Sequence, residues 1–364
     1  MTLTLTGLDG MPELTAGADL AAVVVVALRE NGIELLDGDV LVVSSKVVSK
    51  AAGLTAAAGS GDPGTRDRVV LEQSRRVVAE RLTPRGTARI VESLAGPVMA
   101  AAGVDASNTG SPDVLLLLPH DPDGCARELR DGIRQEWGRV AGGEPPAIGV
   151  VLSDTAGRPW RTGQVDFALG AAGVRVREDL RGAVDADGRE LAVTERCLVD
   201  EVAAAADLVK GKATAVPVAH LRGLAHLVVG TGPGAAGEDA DEGARSVVRT
   251  GPADWFALGA AESVRAALGV APGTTEAAEC GIASVLPEDE ESVLRRALTV
   301  GLHDQPGVSA RLEPGGVRLT GEDPFALGQA VARVRVALTG EGRTSEVERE
   351  GGEVRLSVRP AARR

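Results

Sequence analysis

Tyrosine is absent from the chain, and phenylalanine and tryptophan occur three times each. With so few rings, the bases of a nucleic acid have no stacking platform, and the core has to be built from Val, Leu and Ala. Cysteine is scarce as well. Cys125, Cys197 and Cys280 are odd in number and far apart, which excludes a disulfide framework and a Cys-rich metal knuckle and suits a reducing compartment. The longest apolar run, 20–28, is too short to span a bilayer. Positive charge is in deficit: a formal net charge of -13 over 364 residues argues against a general nucleic-acid or anionic-membrane surface, while leaving room for a local basic pocket. The stretch 1–6 has neither the basic head nor the cleavage pattern of a secretory signal, so the expected location is the cytoplasm. Neither a Walker A loop nor a dinucleotide fingerprint occurs, so any nucleotide site has to be of another kind. No repeat of solenoid length is present.

What the sequence does contain is a pair of small-residue segments, each carrying hard oxygen ligands. Gly103-Val104-Asp105-Ala106-Ser107-Asn108 follows the apolar run 98–102, and Ser153-Asp154-Thr155-Ala156-Gly157-Arg158 follows the apolar run 148–152. A carboxylate at the end of a buried strand is costly unless a cation or a donor satisfies it. Taken singly, each motif reads as a turn or a helix N-cap, where Asp, Ser, Thr and Asn are the favoured types. Taken together, Asp105 and Asp154 suit a divalent cation bridging nucleotide phosphates. A third segment, 39–50, ends an apolar strand in Ser44-Ser45-Lys46 and runs on to Ser49-Lys50. Lys46 and Lys50 are one helical turn apart, so a helix there would aim both at one anion; the plainer reading is two solvated surface lysines.

Hydrophobic periodicity predicts strands at 2–6, 40–43, 148–152, 216–221 and 225–229, and helices at 18–31, 66–81, 122–137 and 199–209. A Gly/Ala/Asp/Glu segment at 230–243 reads as a loop or linker. Beyond it, helices are expected at 254–268 and 325–338, two strands within 307–320 joined at Pro314-Gly315-Gly316, and a terminal strand at 354–358. This order of elements is α+β, with a first domain over 1–245 and a small C-terminal α+β domain over 246–364.

The segments 37–50, 103–108 and 153–170, with Gly10-Met11-Pro12-Glu13-Leu14 and 200–217, stand in the order and at the spacing of the coenzyme F420-0:L-glutamate ligase (F420 gamma-glutamyl ligase) family, which the region 3–229 resembles. The likeness is nearest to the ligase half of the bifunctional actinobacterial enzymes. It implies an F420 gamma-glutamyl ligase-like fold and a GTP-dependent amide ligation. GTP would phosphorylate the terminal carboxylate of coenzyme F420-0, and L-glutamate would displace phosphate, with further gamma-linked glutamates added in turn. No protein nucleophile is required, so no residue is assigned as catalytic. The resemblance assigns Met11, Pro12, Glu13, Leu14, Ser45, Lys50 and Asn108 to GTP, and Asp105, Asp154 and Thr155 to metal. The expected ions are magnesium or manganese at two sites, with potassium a further candidate. Lys210-Gly211-Lys212-Ala213 falls on a later nucleotide loop, where archaeal relatives tend to place a metal-binding Glu and this chain has Lys212. Lys46, Arg158 and Arg161 are candidate contacts to phosphate or to the acidic substrate; for the two arginines a salt bridge to Asp166 or Glu195 is the alternative. Trp160 reads as lining the pocket or packing in the core. The resemblance further implies a homodimer.

The chain departs from the family pattern at Ala52-Gly53-Leu54, Leu94-Ala95-Gly96 and Asp187-Gly188, all outside the metal segments. These changes bear on the acceptor, so a ligase for another carboxylate is the same-class rival, and a non-catalytic nucleotide-binding paralogue the different-class one. Bifunctional relatives carry a flavin-binding nitroreductase-like domain after the ligase. The segment 254–259 resembles the junction helix, but nothing after Leu268 resembles that domain, so neither flavin nor reductase activity is expected.

Overall fold

The computed structural model describes residues 2–59, 63–107, 109–212, 214–229 and 242–361. It divides into two compact units: Met1–Gln73 with Ser93–Thr250, and Ser74–Glu92 with Gly251–Arg364. In chain order the elements up to the second unit's first hairpin are β1 (Thr4–Gly7), α1 (Leu20–Glu30), β2 (Val40–Ser44), α2 (Ser45–Ala51), β3 (Thr55–Ala57), α3 (Pro63–Glu72), β4 (Ser74–Thr83) and β5 (Gly86–Ser93). They continue with β6 (Val98–Ala100), β7 (Val114–Leu116), α4 (Pro122–Ala141), β8 (Gly149–Arg158), β9 (Arg161–Ala172), β10 (Arg177–Asp179), β11 (Glu195–Cys197), α5 (Leu198–Lys210) and β12 (Val218–Arg222).

The first unit is a helix–sheet–helix sandwich on a five-stranded mixed sheet ordered β1-β12-β2-β8-β9. Strand β2 is buried on both faces, which is why it reads as an unbroken apolar run. Leu41 and Val43 join α1 and α4 on one side, through Val24, Leu28, Leu129 and Ile133. Val40 and Val42 join α5 on the other, through Leu198, Val202 and Ala206. Strands β2 and β8 run parallel, in a register that sets Ser44 beside Ser153, while β12 pairs antiparallel to β2. The C-terminal ends of β2 and β8 and the approach to β12 therefore share one edge of the sheet. In parallel sheets that edge is where ligands gather. The opposite edge is closed by Asp39, which is fully buried. It accepts from the Arg222 guanidinium at 2.9 and 2.7 Å and from the Leu36 backbone N–H at 2.9 Å, with His220 Nε2 also 2.9 Å away. Burial alone would raise the Asp39 carboxyl; the bonds from Arg222, His220 and Leu36 outweigh it and hold the group at about 2.

The second unit adds α6 (Ala260–Ala267), α7 (Thr275–Cys280), α8 (Glu290–Gly301), β13 (Val308–Glu313), β14 (Gly316–Gly321), α9 (Pro324–Gly340), β15 (Arg343–Glu350) and β16 (Glu353–Pro360) to the β4–β5 hairpin. Its four-stranded antiparallel sheet is ordered β13-β14-β16-β15, with α8 and α9 packed through Leu294, Leu298, Val334 and Leu338 on Val317, Leu319, Val354 and Leu356. The succession α8-β13-β14 is repeated as α9-β15-β16. Val317-Arg318-Leu319-Thr320 of β14 corresponds to Val354-Arg355-Leu356-Ser357 of β16, and the two segments pair symmetrically about Arg318 opposite Arg355. The part of the unit from α8 to β16 thus has a pseudo-two-fold axis between β14 and β16. It is not a solenoid repeat, and the unequal lengths of α8 and α9 conceal it in the sequence.

Three local expectations are corrected. The segment 66–81 is not one helix: α3 stops at Glu72 and β4 begins at Ser74. Val77 and Val78 are buried, and Arg76 spans to Glu92 at 2.7 Å and to Asp254 at 2.9 Å, so cross-strand pairing overrides the helical charge pattern. The segment 225–229 is a 3-10 turn over Ala225–Leu227, without a strand. The helix expected over 254–268 covers only Ala260–Ala267, because the Asp254 carboxylate caps a turn at the Phe256 N–H and also accepts from Arg76. The contacts group the 74–92 hairpin with the second unit and 246–250 with the first. The linker expected at 230–243 lies almost wholly outside the described residues.

That hairpin makes a prediction. The backbone N–H of Glu80 and the guanidinium of Arg81 both donate to Glu262, Gly259 N–H donates to Val78 O at 2.8 Å, and Leu82 exchanges backbone bonds with Ala283 and Val285. A chain cut after Val229 keeps the hairpin and loses all of these partners, leaving Glu80, Val77 and Val78 uncovered. The truncated protein is expected to scatter light or precipitate at concentrations where the full chain stays monodisperse. Deleting the hairpin as well, with a short Gly linker, is expected to restore solubility.

Candidate functional site

The common edge of the sheet gathers most of the residues that the sequence singles out. After β6, the turn Ala101–Gly103 holds three successive residues at positive φ: Ala101 at 51°, Ala102 at 54° and Gly103 at 72°. For the two alanines this conformation costs on the order of 1 kcal/mol each, a strain commonly stored at functional sites. Gly103 is obligatory, because a Cβ there would lie 2.2 Å from Leu118 Cδ1. The turn delivers Asp105, whose backbone exchanges hydrogen bonds with Leu116 at 3.1 and 2.8 Å. Its carboxylate accepts from the Ser107 N–H at 2.7 Å and lies 2.6 Å from Lys46 Nζ, which also donates to Ser107 O at 2.9 Å. Burial would raise the Asp105 carboxyl; Lys46 and Ser107 outweigh that and lower it. Lys46 is therefore tied to Asp105, and the two-solvated-lysines reading does not hold for it.

Asp154 and Thr155 follow the buried end of β8, where that strand continues with its partner β9 beyond the sheet edge. Among the described residues, Asp154 has no ion pair and no hydrogen bond to another side chain, and its carboxyl accepts from the Thr155 backbone N–H. Its carboxyl is pushed up to about 6, first by desolvation and further by the neighbouring charges of Asp166 and Asp105, against a hydrogen bond from Thr155 and the attraction of Lys212. The charges of Asp166 and Asp105 are felt at Asp154, and a cation there would relieve both the desolvation and that repulsion.

Thr155 stands in a different environment. Its hydroxyl donates to Asp166 at 2.5 Å and accepts from the Lys212 ammonium. Asp166 also accepts from Ser153 at 2.9 Å and from Lys210 at 2.7 Å, and Lys210 donates to Ser153 at 2.6 Å. Ser153, Asp166 and Lys210 are all buried. Burial would raise Asp166, but the Lys210 ammonium and the bonds from Lys210, Thr155 and Ser153 hold it below the usual carboxylate range. This buried network was beyond reach of the sequence, where Asp166 figures only as an arginine partner. Its one signal is period two: Asp166 stands two residues before Ala168 on an alternating strand and so shares its inward face.

The turn 11–14 and α2 also meet. Lys50 in the last turn of α2 forms an ion pair with Glu13. Leu14 is buried in the α1–α4 core and Met11 packs partly against it, whereas Pro12 and Glu13 are exposed. Ser45 is buried at the start of α2. Asn108 lies outside the described residues. Arg158 and Arg161 sit opposite each other at the exposed tip of the β8–β9 hairpin and form no ion pair among the described residues; Asp166 goes to Lys210 and Glu195 to Arg177. Trp160 at the same tip is 87% exposed, so it neither lines this site nor packs in the core. No cluster of three or more His, Cys, Asp or Glu ligands occurs among the described residues, nor any helix long and apolar enough to cross a membrane.

Comparison with known proteins identifies the family of this region. Residues 10–223 match the family described as F420-0:Gamma-glutamyl ligase, a stretch that contains every residue named at the site. The chain belongs to that family. Among curated relatives, the coenzyme F420:L-glutamate ligase of Halobacterium salinarum is 40% identical over 219 residues, covering 56% of this chain and 80% of the relative. The protein of that name from Natronomonas pharaonis is 36% identical over 219 residues, 56% of this chain and 79% of its own. That from Methanothermobacter thermautotrophicus is 36% identical over 239 residues, covering 61% of this chain and 90% of the relative.

The Lys50–Glu13 pair allows a direct test. Replacing Lys50 by Ala is expected to weaken GTP binding about tenfold, the typical worth of one charge-assisted hydrogen bond, with little change in melting temperature because Glu13 is 70% exposed and stays solvated without its partner. Calorimetric titration with GTP reads the change; unaltered affinity would remove Lys50 from the nucleotide site.

Proposed function

We propose that this protein is a GTP-dependent gamma-glutamyl ligase that joins L-glutamate to coenzyme F420-0 and extends the product with further gamma-linked glutamates. The observation that carries the reading is the convergence of Lys46, Asp105, Asp154, Lys210 and Lys212 on one sheet edge, within a region matching the family. Ammonium groups there attract the polyphosphate, and the unpaired Asp154 attracts a cation.

The chemistry follows from the weakness of a carboxylate as an electrophile. An oxygen of the F420-0 carboxylate attacks the γ-phosphorus of GTP, the bond from that phosphorus to GDP breaks, and an acyl phosphate forms. The glutamate amine then attacks the acyl carbon and phosphate leaves, carrying one of the former carboxylate oxygens. Magnesium or manganese, when bound, neutralises charge on the phosphates. Asp105 and Asp154 would hold it, and their chemistry fits: two partly buried carboxylates, one without a cationic partner. Thr155 fits less well, because Lys212 already occupies its hydroxyl. Lys46 and Lys210 keep Asp105 and Asp166 ionised and fixed in place. Lys50, with the backbone of 11–14, holds the nucleotide, and Ser45 and Asn108 complete that contact. Arg158 and Arg161, on an exposed tip, suit the polyanionic acceptor better than the buried phosphates. We read the protein as a cytoplasmic homodimer without flavin. Phosphate release from GTP tests the proposal: it is expected only when F420-0 and L-glutamate are both present, and release independent of either one would contradict it.

A further inference from the structure

We propose that the Lys212 ammonium takes the place of one of the two divalent cations expected at this site, so that the protein works with a single cation held by Asp105 and Asp154. The inference rests on the ligase reading above and refines it.

The constraint lies in the valence of a single oxygen. The Thr155 hydroxyl has one proton and two lone pairs. The proton goes to Asp166 and one lone pair to Lys212. A divalent cation on the remaining lone pair would share that oxygen with a full positive charge. Repulsion at such a separation is large in a partly desolvated site. Asp166 offers no relief, since it is buried among Thr155, Ser153 and Lys210, whereas the Asp105 side chain beside Lys46 is open to solvent. The cluster is moreover already close to neutral. Lys46 answers Asp105, Lys210 answers Asp166, and Lys212 reaches the oxygen next in sequence to Asp154. At the Thr155 hydroxyl the Lys212 ammonium already supplies positive charge of the kind a second dication would bring. Lys212 is exposed on its loop and is not required for packing.

The test counts ions without reference to turnover. Full-length protein is saturated with a non-hydrolysable GTP analogue, titrated with manganese, and bound metal per chain is measured by paramagnetic resonance after free nucleotide is removed. Wild type is expected to bind one manganese. Lys212→Glu, which replaces the ammonium with a carboxylate, is expected to bind two, and Lys212→Arg one. Circular dichroism confirms that the variants are folded. Two manganese ions in wild type would overturn the inference and leave the ligase reading standing. One ion in folded Lys212→Glu would also overturn it. No bound metal in any of the proteins would overturn the ligase site itself, and the inference with it.

Discussion

Asp154→Asn is expected to abolish ligation and at the same time to stabilise the metal-free protein. Ligation should fall by at least about a hundredfold, because the variant removes a ligand charge, and even groups that only orient ligands are worth 10–100-fold. The stability gain follows from the same environment. In the metal-free protein the Asp154 carboxyl titrates at about 6, well above an ordinary carboxylate, so keeping it charged at neutral pH opposes folding by on the order of 2 kcal/mol. Asn keeps the shape and removes the charge. The sign sets the pH window. A folded-state pKa raised above the unfolded value of 3.8 means the penalty is full above about pH 6 and is relieved as pH falls toward 4. Asp154→Asn should therefore melt several degrees above wild type at pH 7.5 in the presence of a chelator, and the two should converge near pH 4. With manganese and GTP added, wild type should recover stability and the variant should not. Equal melting temperatures in chelator at pH 7.5, or near wild-type turnover, would contradict the assignment.

Lys210→Ala is expected to be the most destabilising single change in the first unit, at about 3–5 kcal/mol, the usual cost of leaving a buried charge without its partner. Lys210 and Asp166 are each about 5% exposed or less, and Asp166 also anchors Ser153 and Thr155. The carboxyl is held below its ordinary pKa, so the stabilisation is fully present above the unfolded value and is lost as pH falls through the folded one. Urea denaturation at pH 7.5 measures the loss. Adding Asp166→Asn to Lys210→Ala should recover part of it, since the orphaned charge is then gone; a double variant no more stable than the single would mean that Lys210 acts through packing instead. Either way Thr155 loses its orientation, so metal and nucleotide affinity should fall along with stability.

The legible part of this fold is the part governed by uninterrupted burial. Strands β2 and β8 show as apolar runs because both faces of each are covered, and α4 shows because Asp121 caps it, Pro122 opens it and Leu129, Ile133 and Trp137 recur on one side. The carboxylates Asp105 and Asp154 stand out for a related reason, as charges placed next to such runs. What was not legible depends on pairing between distant segments. Strand β15 reads Arg-Thr-Ser-Glu-Val-Glu-Arg-Glu, mostly exposed, and is a strand because β16 lies beside it. Strand β4 carries Arg75 and Arg76 in a helix-like charge pattern and is extended because Glu92, Asp254 and Glu262 supply its partners. Asp166 and Lys210 belong to different elements, and only the packing of α5 against β9 makes them a pair. The Lys212–Thr155 contact is of the same kind: the sequence shows a lysine on a loop, and the fold shows which oxygen it touches.

The central claim is that the acceptor carboxylate is activated by phosphoryl transfer from GTP at this site. Coenzyme F420-0 labelled with oxygen-18 in its terminal carboxylate, incubated with the full-length protein, GTP, manganese and L-glutamate, tests it most directly. The account predicts a product heavier by one glutamyl residue, and one oxygen-18 atom transferred to the released inorganic phosphate for each amide bond formed. Amide product accompanied by unlabelled phosphate, or labelled coenzyme recovered unchanged while GTP is consumed, would contradict it.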